Sequence, residues 1–169
     1  MAISPYLAGL REHIGHELVL LPSVAVLPHD ESGRLLLVLN RESGLWQTIG
    51  GAVEPDETPQ AAGVREASEE AGIEVELGAI LAVLGGPEYR ITYPNGDQAA
   101  YVATVFDARI IGGEPAADGH ETGGVEWWSL EDLAEIAVDE LNGALLRAVY
   151  GSPAGRPAPP GGIEPPLRP

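Results

Sequence analysis

Apolar positions along this chain follow two spacings, one suited to helices and the other to strands. In residues 4 to 14, Tyr6, Leu7, Leu10 and Ile14 fall on one helical face; Ser4 can cap the helix and Pro5 suits its first turn. Residues 18 to 28 (LVLLPSVAVLP) are apolar and β-branched, the pattern of a buried strand, and Pro22 predicts a break or an edge position. A turn at Asp30-Glu31-Ser32-Gly33 leads to a second strand, RLLLVLN, over 34 to 40. Thr58-Pro59 opens a helix over 59 to 71 that Gly72 closes. Gly63 inside it costs roughly 1 kcal/mol relative to Ala, which points to close packing there.

Strand spacing then returns. IEVELGAILAVLGG reads as a strand, and Asn95-Gly96 predicts a hairpin between EYRITYP and QAAYVATVFDARI. Val125 to Trp128 is a short strand; Trp127 and Trp128 alternate faces, one for the core and one for a cleft or a dimer contact. Ser129-Leu130-Glu131-Asp132 predicts another helix start. Asp139 caps a last helix with Leu141, Leu145, Ala148 and Val149 on one side. From Gly151 the chain is Pro/Gly-rich and reads as an extended tail. The expected organisation is an N-terminal helix (1–17), one domain (18–150) and a tail (151–169). The class is α/β or α+β, a mixed sheet with a few helices.

Bulk properties narrow the function. A chain of 169 residues can bury one real core. It has no cysteine, hence no disulfide and no thiolate metal site. No apolar run reaches spanning length and the N-terminus lacks a signal-peptide layout, so a cytoplasmic protein with no membrane partner is expected. The formal charge of −17 argues against a nucleic-acid duplex as partner. A small phosphorylated substrate stays open, because bound Mg²⁺ would invert the local field.

The chemistry concentrates in GGAVEPDETPQAAGVREASEEAGI, from Gly50 to Ile73. Glu66, Glu69 and Glu70 stand three and four apart, which gathers their carboxylates on one helical face. Like charges so close favour a hard divalent cation, and Mg²⁺ in particular is held by one or two carboxylates with waters and phosphates completing its shell. Arg65 adjoins the cluster and Glu57 precedes the helix, so a pair between them would pin the loop to the helix. Gly50-Gly51 lets backbone approach a metal or a phosphate closely. Gly51, Glu57, Arg65, Glu66, Glu69, Glu70 and Gly72, with aliphatic Ala67 and Ile73, fit the signature G-x5-E-x7-R-E-U-x-E-E-x-G-U, U being aliphatic. At about 7% usage per residue type, seven fixed matches arise by chance on the order of 10⁻⁸ per start position. The acidic face is therefore more than a solvated helix surface.

This stretch resembles the box of the Nudix hydrolase family and matches it without departure. The resemblance implies an α/β/α sandwich around a mixed sheet, with the box as loop–helix–loop. It implies Mg²⁺- or Mn²⁺-dependent hydrolysis of a diphosphate linkage in a nucleoside diphosphate joined to another group. Glu66, Glu69 and Glu70 would be metal ligands, Glu66 and Glu70 foremost, with the Gly50 carbonyl as a further one. Glu57 and Arg65 would be the orienting pair. The catalytic base comes from the box, as Glu69, or from a later loop, where Glu121 in DGHETGGVEWWSL occupies the matching place. Arg90, Tyr89 and Tyr93, near the hairpin after the box, are candidates for phosphate binding and base stacking. The isomerase chemistry that shares this fold uses a cysteine the chain lacks. A metabolite-sensing regulator is the remaining alternative. Homodimers are frequent among such proteins, and the apolar stretch at 18–28 is a candidate contact. Trp46 reads as packing, and His13, His16, His29 and His120 as scattered surface or loop residues.

Overall fold

The computed structural model describes residues 4–151 and the backbone of Arg156–Pro157. Among the described residues three helices, α1 (Pro5–Ile14), α2 (Pro59–Ala71) and α3 (Glu140–Tyr150), accompany ten strands. The strands are β1 (Val19–Pro28), β2 (Leu35–Asn40), β3 (Trp46–Gln47), β4 (Ile49–Ala52), β5 (Ile73–Leu84), β6 (Arg90–Thr92), β7 (Gln98–Gly113), β8 (Thr122–Trp128), β9 (Ala137–Val138) and β10 (Arg156–Pro157). Apart from β10, the expected tail after Gly151 lies outside the described residues.

The strands form two mixed sheets rather than the single one expected. One runs β4-β1-β7-β5 with β6 also on β7; the other runs β10-β9-β3-β2-β8. β1 and β7 pair in parallel from Val19↔Ala99 to Pro28↔Ala108. Alternate residues of β1 and β2 divide between two clusters. Ala25, Leu27, Leu35 and Leu37 meet Ala144, Leu145 and Leu146 of α3. Val26, Leu36 and Val38 meet Ala67 and Ala71 of α2. The strands are thus the middle layer of an α/β/α sandwich. Burial on both faces explains why these strands read as unbroken apolar runs.

Pro22 does not break β1, and on the β4 side it stands where the strand has become an edge. Its carbonyl accepts the Val53 N–H at 3.1 Å, so its ring nitrogen faces the β4 side, one residue beyond the Ser23↔Ala52 pair that ends that ladder. A proline is tolerated there because no partner waits for its missing N–H. Within 18–28 only Leu18, Leu20 and Pro22 are exposed, so most of this stretch is interior.

Other expectations meet local corrections. α1 has its Ser4 cap, but none of its residues is buried. Arg11 moors it instead, donating to the carbonyls of Gly15, Glu17 and Gln98. The helix expected after Ser129 shrinks to one 3-10 turn, Asp132–Ala134, because the chain must reach β9 and pair Val138 with Trp46. Trp127 and Trp128 do face opposite ways. Trp128 meets Trp46 edge-on at 5.3 Å in the α3 cluster, and Trp127 packs on the α2 cluster. His29 is no loop bystander: Asp107 Oδ1 lies 3.1 Å from its Nδ1 and the Tyr150 hydroxyl 2.8 Å from its Nε2. The Asn95-Gly96 hairpin forms between β6 and β7, closed by Tyr93 N–H to the Asp97 carbonyl.

Candidate active site

Helix α2 owes its position to small residues. Ala62, Gly63, Ala67 and Ala71 are buried, and a Cβ on Gly63 would sit 3.1 Å from Val26 Cγ2. That closeness sets α2 against β1 and brings its acidic side to β4. Thr58 caps the start by accepting the Ala61 N–H, and Gly72, in the left-handed conformation, ends the helix. The double glycine of β4 is required for two separate reasons. A Cβ at Gly50 would collide with the Val24 carbonyl oxygen, and one at Gly51 would collide with the Glu66 carboxylate.

Arg65 organises one side of the site. Its Nε and Nη2 donate to both oxygens of Glu57, at 2.9 and 3.0 Å. Nη2 also donates to the Ala52 carbonyl, and Nη1 to Glu66 and Glu69. All five N–H donors of the guanidinium are engaged. The Glu57 carboxylate is held below its ordinary range by Arg65.

Glu70 faces the opposite regime. It is 9% exposed, and its carboxylate accepts the Gly50 N–H at 2.9 Å. Burial pushes its pKa up to about 8, with repulsion from Glu66, Glu121 and Asp118 adding to the effect. Burial raises Glu66 as well, against the pull of Arg65.

The loop between β7 and β8 completes the site. Although burial opposes it, N–H donors from Thr122, His120 and Glu121 hold the Asp118 carboxylate below its usual range. Glu66, Glu69, Glu70, Asp118 and Glu121 line one cleft of about 320 Å³. Among the described residues no three acidic or histidine side chains converge as a ready metal cage. The donor set nevertheless fits a hard divalent cation: it is all carboxylate oxygen, and the repulsion among these groups, which adds to the effect of burial on Glu70, is what a cation would relieve.

A family model described as the NUDIX domain matches residues 19–149. The chain belongs to the NUDIX domain family. A putative 8-oxo-dGTP diphosphatase of Bacillus subtilis is 36% identical over 104 residues, covering 62% of this chain and 63% of its own length. A MutT-like protein of Streptomyces ambofaciens is 32% identical over 130 residues, 77% of each chain. Among solved structures, a MutT NUDIX hydrolase from Burkholderia pseudomallei superposes with a TM-score of 0.64 at 26% identity, covering 78% of this chain and 98% of that one.

On this Nudix frame the candidates named from sequence separate into two groups. Glu57 and Arg65 are paired; Glu66, Glu69, Glu70 and Glu121 share the cleft; Gly50 joins it through its N–H. Tyr89, Arg90 and Tyr93 do not line the cleft. Tyr89 is a correction: only 4% exposed, it packs with Leu145 and Leu146 in the core and offers no stacking face. Arg90 is exposed on β6, and the Tyr93 hydroxyl is 2.6 Å from that of Tyr101. Sequence reasoning missed Asp118. Asp-Gly with a hydroxyl residue four places on is a turn signal that could have drawn attention to it.

Proposed function

We propose that this protein is a Mg²⁺- or Mn²⁺-dependent hydrolase that cleaves the diphosphate linkage of a small nucleoside diphosphate-X compound. One observation carries the reading: helix α2 and the β7–β8 loop line a single cleft with five carboxylates. The relative named as an 8-oxo-dGTP diphosphatase supports a nucleotide substrate.

Glu66 and Glu70 would hold the cation, with Glu69 and the Gly50 carbonyl as further donors. When bound, the cation supplies neutralisation of the diphosphate oxygens and acidifies the attacking water. Glu121 or Glu69 would accept a proton from the attacking water as its oxygen bonds to one phosphorus, while the anhydride P–O bond breaks and the other phosphate leaves with its group. The Glu57–Arg65 pair fixes the β4–α2 loop against the helix, so the carboxylates keep their spacing while charge builds on the substrate. Arg90, exposed on β6, and Tyr93 lie outside the carboxylate cleft and are candidates for contacts to the X group. Residues 18–150 form the catalytic domain in this reading, and the protein works in the cytoplasm. Among the described residues no helix is long and apolar enough to cross a membrane.

The test is phosphate or nucleoside monophosphate release from a panel of diphosphates, with Mg²⁺ and with EDTA. Mg²⁺-dependent release from a nucleoside diphosphate-X compound is expected. Release only from non-nucleotide diphosphates would replace the substrate class. Tight binding without turnover would favour a metabolite sensor and overturn the enzymatic reading.

A further inference from the structure

The end of α2 leaves main-chain carbonyls without helical partners, as every helix end does. Here the β7–β8 loop takes them up. The Ala116 N–H donates to the Ala71 carbonyl at 2.9 Å, and the Thr122 hydroxyl donates to the Glu70 carbonyl at 2.9 Å. Thr122 is 2% exposed, so its hydroxyl sits away from competing water. The same oxygen accepts the Asp118 N–H at 2.9 Å, while the Asp118 carboxylate gathers the N–H groups of residues 120, 121 and 122. With three N–H donors on Asp118 Oδ1, the single hydroxyl proton is best spent on the Glu70 carbonyl, although Asp118 Oδ1 is also within 3.0 Å.

Glu70 is therefore tied twice. Its side chain holds Gly50, and its main chain holds the residue next to Glu121. We infer that Thr122 is a positioning residue, whose hydroxyl sets Glu121 at a fixed distance from the α2 carboxylates. It touches neither substrate nor cation; it acts by placing the loop. The inference rests on the hydrolase reading and deepens it, because a loop shift of even an ångström at a proton-accepting group is enough to slow such a step by orders of magnitude.

Thr122→Val removes the hydroxyl at nearly constant shape, and Thr122→Ser keeps it while losing a methyl. With the best substrate of the panel and saturating Mg²⁺, Thr122→Val should lower kcat by about tenfold or more and leave KM within about threefold. Thr122→Ser should stay within about threefold of wild type in both, although it leaves a small void. A merely structural role would also make the valine variant the less stable one, through the two hydrogen bonds lost, but would lower its melting temperature without lowering kcat at temperatures where it is folded. Hydrogen exchange gives a readout independent of turnover: the amides of 120–122 should exchange faster in Thr122→Val than in wild type or Thr122→Ser. If the valine variant does not fold, Thr122→Ala serves the same comparison. Wild-type kcat in Thr122→Val, or an equal loss in Thr122→Ser, would overturn the inference. Were wild type inactive on every diphosphate, the hydrolase reading would fail, and unchanged exchange in Thr122→Val would separately refute the tie.

Discussion

The carboxylate of Glu70 accepts the main-chain N–H of Gly50 at 2.9 Å, joining α2 to β4 at a residue that also lines the cleft. A glutamine can make the same bond through its amide oxygen but carries no charge for a cation. In Glu70→Gln, turnover with Mg²⁺ should fall by roughly 100-fold or more. Stability in EDTA should stay within about 1 kcal/mol of wild type. Steady-state assays and urea melts test both halves, and wild-type turnover at saturating Mg²⁺ would remove Glu70 from the chemistry.

The same residue sets a pH dependence. Glu70 titrates at about 8 in the folded protein against an ordinary 4.5, so the folded state holds its proton more tightly. Stability from this group is complete below the lower value and is lost as pH rises through the upper one. Glu66, also raised, has the same sign. Glu57 and Asp118 are lowered; their contribution is lost only as pH falls into the acid range. In EDTA the melting temperature should therefore drop between about pH 5.5 and about pH 8.5, and Mg²⁺ should raise it most at the alkaline end. A melting temperature that climbs across this range in EDTA would contradict the burial argument.

Arg65 spends five donors on four partners, an arrangement a lysine ammonium with three donors and no planar fork cannot reproduce. Arg65→Lys should cost about 1–3 kcal/mol in urea unfolding. It should also slow turnover, since Glu66 and Glu69 lose their tether. An unchanged urea midpoint would place this network with exposed ion pairs of no net value.

Adjacent glycines should fail differently. At Gly50 the obstacle to a Cβ is backbone, the Val24 carbonyl; at Gly51 it is the Glu66 side chain, which can swing away. Gly50→Ala should lose about 2 kcal/mol or more of fold stability. Gly51→Ala should lose less stability and more Mg²⁺ affinity. Melts in EDTA and calorimetric Mg²⁺ titrations separate the two, and the reverse ranking would refute the assignment.

What could be read from the chain was what is local. The box lies within consecutive residues, and the three- and four-residue spacing of Glu66, Glu69 and Glu70 follows from helical geometry alone. The apolar runs at 18–28 and 34–40 read as strands, one residue longer at the start than β1 and β2. Their double-sided burial did not reveal that they belong to two sheets. Tyr89 lies in the core because the 3-10 turn Pro87–Tyr89 aims it inward, and a lone aromatic beside a turn has no period to tell core from surface. The Thr122 tie was invisible, since it links residues 52 apart and depends on where α2 stops.

The parallel ladder between β1 and β7 has a consequence for biosynthesis. Residues 19–28 meet 99–108 only after the intervening hairpins and helix have been made. Such distant pairing is slow to close, and half-made chains expose what the finished sheet hides. During translation β1 therefore waits with one flank bare, and the carboxylate cleft cannot be complete until Asp118 and Glu121, beyond β7, have been made.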